Sequence, residues 1–96
     1  MATRAALLTR EAAEAIAAQG LAFLAEEPRR LSRFLALTGL DLGDVRARIN
    51  DRVFLAAILE HLLEDESLLL VFAAGASVAP ETIPAALNIL QEQDGA

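Results

Sequence analysis

Apolar side chains recur along this chain at three- and four-residue intervals, and Pro, Gly or Asp stands at the breaks, so the pattern predicts helices and no strand. The first runs from near Thr9 to Glu26, with Ile16, Gly20, Phe23 and Leu24 on one face. Pro28 fits the opening of a second, where its missing N–H would be unpaired in any case. Leu31, Phe34, Leu35 and Thr38 form the inner side of that helix, and Gly39 ends it. Asp41 caps a short third helix through Asn50, and Asp51 caps a fourth whose inner face is Phe54, Leu55, Ile58, Leu59, Leu62 and Leu63. Asp65 opens a fifth that closes near Gly75. Pro80 opens a sixth that runs to about Gln93 over Ile83, Leu87 and Leu90, with Pro84 close enough to its start to be tolerated. The expected fold is all-α: a compact bundle of about six short helices in a single domain, residues 1–96, with a frayed tail at 93–96.

The pattern also repeats. Displaced by 38 residues, Ala18, Leu21, Leu24, Glu26, Leu31, Phe34, Ala36 and Ala47 fall on identical residues at Ala56, Leu59, Leu62, Glu64, Leu69, Phe72, Ala74 and Ala85. Glu27 meets Asp65, Leu40 meets Val78, Val45 meets Ile83 and Ile49 meets Leu87. This predicts two pseudo-repeated three-helix units, 13–50 and 51–88, each too small to bury its apolar face alone and therefore packed on the other. The informative positions are those that differ. Arg29, Arg30 and Arg33 of the second helix become Ser67, Leu68 and Val71 of the fifth. An apolar outer side has two explanations: the fifth helix is central and covered on both sides within the domain, the reading we favour, or its back is a contact surface for another chain. Leu68 and Val71 are accordingly the candidate interaction surface.

Composition sharpens this picture. The apolar fraction of 55% is mostly Ala and Leu, which favour helix. All eight basic residues are arginines and lie between Arg4 and Arg52, so the last 44 residues carry seven acids and no base, within a net charge of −6. Such lopsidedness bears on solubility and partners and says nothing about a reaction. Glu60, Glu64, Asp65 and Glu66 are expected to be faced by arginines of the first half. Cysteine is absent, which excludes a disulfide framework and thiolate chemistry and suits a reducing compartment. The N-terminus meets Glu11 before an apolar stretch of signal-peptide length develops, and the longest apolar run, Leu68 to Ala76, falls far short of the roughly 20 residues of a membrane span. A soluble, cytoplasmic protein with no membrane association is expected.

The run FLALTGLDLGDVRARINDRVFLAAILEHLLEDESLLLVFAA, preceded by AAQGLAFLAEEPRRLSR, resembles a small family of alphaproteobacterial proteins known only as a domain of unknown function. The similarity extends from about Ala12 to Leu90. It implies a soluble bacterial helical domain and brings no substrate, cofactor or site residue with it.

Candidate chemistry is sparse. His61 stands three and four residues before Glu64 and Asp65, a spacing that puts potential ligands on one helical face, but one helix supplies too few for a closed metal site. In the repeat His61 takes the place of Phe23, so a packed ring is expected and no metal. Ser32, Ser67 and Ser77 lack a nucleophile context, and Gly39 and Gly43 lack the pattern of a phosphate loop. No catalytic residue, no cofactor and no enzyme activity are expected. Residues 31–50 have the outline of a helix-turn-helix, and Arg29, Arg30, Arg33, Arg46 and Arg48 form a candidate basic face. Asp41 and Asp44 sit at the end of the third helix that would meet DNA, and a pair between Asp44 and Arg48 offers the plainer account of these charges. The sequence therefore reads as a helical interaction or structural module, self-associating or bound to a protein partner. The alternative is a DNA-associated regulator using residues 31–50.

Overall fold

The computed structural model describes residues 8–92 and contains six helices and no strand in that span. They are α1 (Arg10–Ala25), α2 (Pro28–Thr38), α3 (Leu42–Arg48), α4 (Arg52–Leu63), α5 (Glu66–Ala76) and α6 (Thr82–Gln91). The tail at 93–96, expected to fray, lies outside the described residues. Short side chains start the helices as anticipated. The Thr9 hydroxyl accepts from the Ala12 N–H at 3.0 Å, Asp51 from Val53 at 3.2 Å and Asp65 from Leu68 at 3.1 Å. Asp41 and Asp44 form a reciprocal capping box, each carboxylate accepting the other residue's backbone N–H, at 2.8 and 3.0 Å. That use of Asp44 replaces the expected pair with Arg48, because a backbone donor two bonds from a fixed helix start holds the carboxylate better than a flexible exposed guanidinium.

Three expected boundaries shift. The third helix stops at Arg48 rather than Asn50, and the sixth starts at Thr82, after a turn over Pro80 and Glu81. Pro84 is then the third residue of α6, where no intrahelical partner awaits its nitrogen. The fifth helix passes through Gly75 to Ala76, and Ser77 takes the left-handed cap with φ 57°. Its counterpart 38 residues earlier is Gly39, with φ 76°. A left-handed backbone crowds the Cβ of Ser77 against its own peptide. Ser77→Gly is therefore expected to stabilise the chain by about 0.5–1 kcal/mol in urea unfolding, net of the extra freedom glycine gives the unfolded state.

The core lies where α1, α4 and α6 meet, the three helices with the most extensive mutual contacts. α4 is central: Phe54, Leu55, Ala56, Ile58, Leu59, His61 and Leu62 are all buried. Ile16, Ala17 and Leu24 of α1 and Ile83, Ala86 and Leu90 of α6 close over it. The Arg52 guanidinium donates to the Glu92 carbonyl oxygen at 2.7 Å and Gln91 Nε2 to a Glu60 carboxylate oxygen at 2.9 Å, tying α6 to α4. The favoured expectation that the fifth helix is central and covered on both sides is overturned. α5 buries Phe72 and Ala73, while Leu70 and Val71 are about half exposed, because α4 already fills the position between α1 and α6.

The two halves correspond in space as well as in sequence. α2 and α5 begin and end 38 residues apart at both limits. Phe34 of α2 packs edge-on against His61 of α4, with centroids 5.2 Å apart, and Phe72 of α5 packs against Phe23 of α1 at 5.4 Å. Shifting each number by 38 exchanges these two contacts, the relation expected of a twofold axis. Gly20 lies on that axis, since a Cβ added there would stand 3.1 Å from Cγ2 of its own counterpart, Ile58.

Candidate functional site

Every fourth residue of a helix returns to nearly the same side, so Phe23 lies one turn beyond Gln19 on α1. From there its ring reaches Phe72 on α5 at a tilted 55°. Above it, the Arg30 guanidinium carbon stands 4.3 Å from the Phe23 centroid, within the range where a cation is attracted to a ring face. Pro28 turns the chain sharply enough to bring Arg30 back over α1. Between α1, the first turn of α2 and α5 runs an open groove of about 560 Å³. Phe23, Val71, Phe72 and Ala76 supply its apolar wall, and Gln19, Glu26, Glu27 and Arg30 its polar edge. Gly75 leaves space: a Cβ added there meets nothing within 4 Å. An open apolar trough with a few polar groups at its edge suits recognition of another molecule. It holds no hydroxyl, thiol or imidazole among its lining side chains.

The expected site residues separate. Val71, 53% exposed, lines the groove, whereas Leu68 is half-buried and packs against the core. Val71→Arg is accordingly expected to leave stability within about 0.5 kcal/mol, and Leu68→Arg to cost about 1–2 kcal/mol, by thermal or urea unfolding. Of the candidate basic face, Arg30 belongs to the groove; Arg29, Arg33, Arg46 and Arg48 are exposed. Among the described residues, these four make no ion pair within 4.0 Å. Phe23 and Phe72 escape a sequence reading of the site because their apolar spacing marks them as core, and Gly75 because a helical glycine signals a helix end.

The groove's counterpart across the axis is built around Phe34 and His61. His61 is buried, and this desolvation pushes its imidazole below the ordinary value of 6.5; Glu64 and Asp65 oppose that shift and Arg33 reinforces it. Arg33 is thus the first-half arginine whose charge reaches the acids at the end of α4, without pairing directly with them. Because the folded value lies below the unfolded one, the neutral ring's contribution is present above about pH 6.5 and is lost as pH falls through the folded value. Relative to a His61→Phe variant, which restores the residue type of Phe23, the parent is expected to lose stability between about pH 7.5 and 5 in urea titrations. Parallel pH profiles for the two chains would show that His61 titrates as freely folded as unfolded. No three His, Asp or Glu side chains gather closely enough to hold a metal ion among the described residues.

A family model described as Protein of unknown function (DUF3572) matches residues 10–93. The chain belongs to that family. The match begins with the first residue of α1 and runs past the end of α6, so it takes in the whole helical core and both sides of the groove. No curated protein and no solved structure matches the chain. No helix among the described residues is long and apolar enough to cross a membrane.

Proposed function

We propose that this member of the family is a helical interaction module that receives an apolar side chain or helix face of a protein partner in the groove between α1 and α5. The observation that carries the reading is the half-exposed Val71 standing beside Phe72 and the open space over Gly75. An apolar wall left uncovered in so small a chain costs solubility unless something covers it. The groove offers binding surface without a nucleophile, so the reading is of recognition with no reaction, cofactor or metal. The absence of cysteine suits work in the reducing cytoplasm. We further infer that the halves arose by duplication, on the strength of matching helix limits, matching left-handed caps and the exchanged aromatic pairs.

A photo-crosslinking residue in place of exposed Ala22 tests the groove in cells. Protein adducts are expected that disappear when Gly75→Leu fills the trough. Adducts that are absent, or that survive the filled groove, would overturn the reading. The alternative, a DNA-associated regulator working through residues 31–50, draws on the exposed and unpaired Arg46 and Arg48. Against it, the capping box fixes the carboxylates of Asp41 and Asp44 at the end of α3 that would face phosphates. Duplex DNA is expected to pass a filter unretained at low and high salt alike, whereas retention that falls steeply with salt would favour the regulator.

A further inference from the structure

We infer that the occupant of the α1–α5 groove is α2 of a second copy of this chain. The inference rests on the docking reading above and names its partner. Arg29, Arg33 and Leu37 stand four residues apart on the outer side of α2, all exposed, Leu37 by 63%. Their counterparts on α5 are Ser67, Val71 and Gly75, also exposed. The two copies of one helix face have therefore diverged in opposite senses, one to large and cationic, the other to small and uncharged. Leu37 is a projecting apolar side chain with no cover, and the space over Gly75 is where its own counterpart is missing.

Charge selects the same pairing. Glu26 and Glu27 line the groove against the single guanidinium of Arg30, which leaves it net negative. Glu64, Asp65 and Glu66, at the start of α5, add exposed acid with no base in that half of the chain. Arg29 and Arg33 carry the matching positive charge and make no ion pair in their own chain. Juxtaposing unlike patches fixes orientation and register even between copies whose total charge is repulsive. Leu37 seated over Phe72 and Gly75, with Arg29 and Arg33 toward the acids, covers the apolar wall and pairs the idle arginines in one contact.

Sedimentation velocity on the purified chain at up to about 1 mM populates any complex with a Kd below that value and is expected to show association. Gly75→Leu, which meets no neighbouring atom on entering its space, should raise the Kd at least about tenfold while far-UV circular dichroism stays that of the parent. Two charge variants provide the second arm. Arg29→Glu with Arg33→Glu sets acid against acid, and Glu26→Arg with Glu27→Arg sets base against base, so each is expected to be monomeric alone. Mixed in equal amounts, they should associate again, since every contact in the mixture is between unlike charges. A monomeric parent, association indifferent to Gly75→Leu, or a mixture that stays monomeric overturns the second-copy inference. A monomeric parent whose Ala22 crosslinks in cells to another protein, and loses them with Gly75→Leu, would sink the second copy and leave the docking groove standing. No adducts and no association would remove both.

Discussion

Phe34→Ala is expected to remove about 3–5 kcal/mol of stability, the largest loss of any single truncation in α2. Phe34 is fully buried and is the only buried side chain of its helix, so it alone anchors α2 to the core. Its ring meets Phe54 at 6.1 Å and His61 at 5.2 Å, both edge-on, and alanine would empty the space between them. A chain of this size has perhaps 5–15 kcal/mol in hand, so a substantial unfolded fraction is expected at 37 °C. The cavity would also open His61 to water and relieve the desolvation that keeps its ring neutral. The counterpart change, Phe72→Ala, should cost less in urea unfolding, because the Phe23 ring it meets is half-buried and borders the open groove. Equal losses would mean that the two aromatic pairs are buried alike.

Gly20→Ile is expected to cost about 3 kcal/mol, by overpacking the closest approach of α1 and α4. An ideal Cβ at Gly20 stands 3.1 Å from Ile58 Cγ2 and 3.1 Å from Leu62 Cδ1, so the added branches have nowhere to go without moving a helix. Ile58→Gly should cost at least as much, from the lost burial, the cavity and the poor helix propensity of glycine, together about 4–5 kcal/mol. The informative variant is the exchange of both. Positions 20 and 58 meet across the axis that relates the two halves, and such a point has room for one large side chain, on either helix. The double variant should therefore recover more than half of the summed loss, a coupling far beyond that of independent sites. Urea unfolding of the four chains measures it directly, and strictly additive losses would contradict the pseudo-twofold packing.

The six helices were legible along the chain because each carries its own boundary chemistry. A carboxylate placed to accept a free N–H, a proline whose nitrogen needs no partner and an apolar face at helical spacing all act within a few residues. The inner faces of α1 and α4 and the correspondence of the halves are legible for the same reason, since local burial demands are written in residue type. Where that chemistry is ambiguous, the reading slipped: Gly75 continues its helix and Ser77 ends it, because a left-handed cap is favoured by glycine and not restricted to it.

Which helix occupies the centre was decided only in three dimensions. α5 is more apolar around its circumference than α2, yet α4 takes the position between α1 and α6 and leaves Leu70 and Val71 in the open. A sequence reports how much apolar surface a helix has, whereas cover depends on which partners reach it, and those are set by the packing of all six at once. The groove is likewise a product of assembly. Arg30, Phe23 and Phe72 come from three helices, and the space over Gly75 exists because the chain's own α2 is turned inward by Phe34 on the far side of the axis. Sequence by itself determined the helices, their caps and the divergence of Arg29, Arg33 and Leu37 from Ser67, Val71 and Gly75. The tertiary structure alone decided that this divergence leaves one face charged and projecting and the other hollow, since exposure belongs to a residue's surroundings and not to its type.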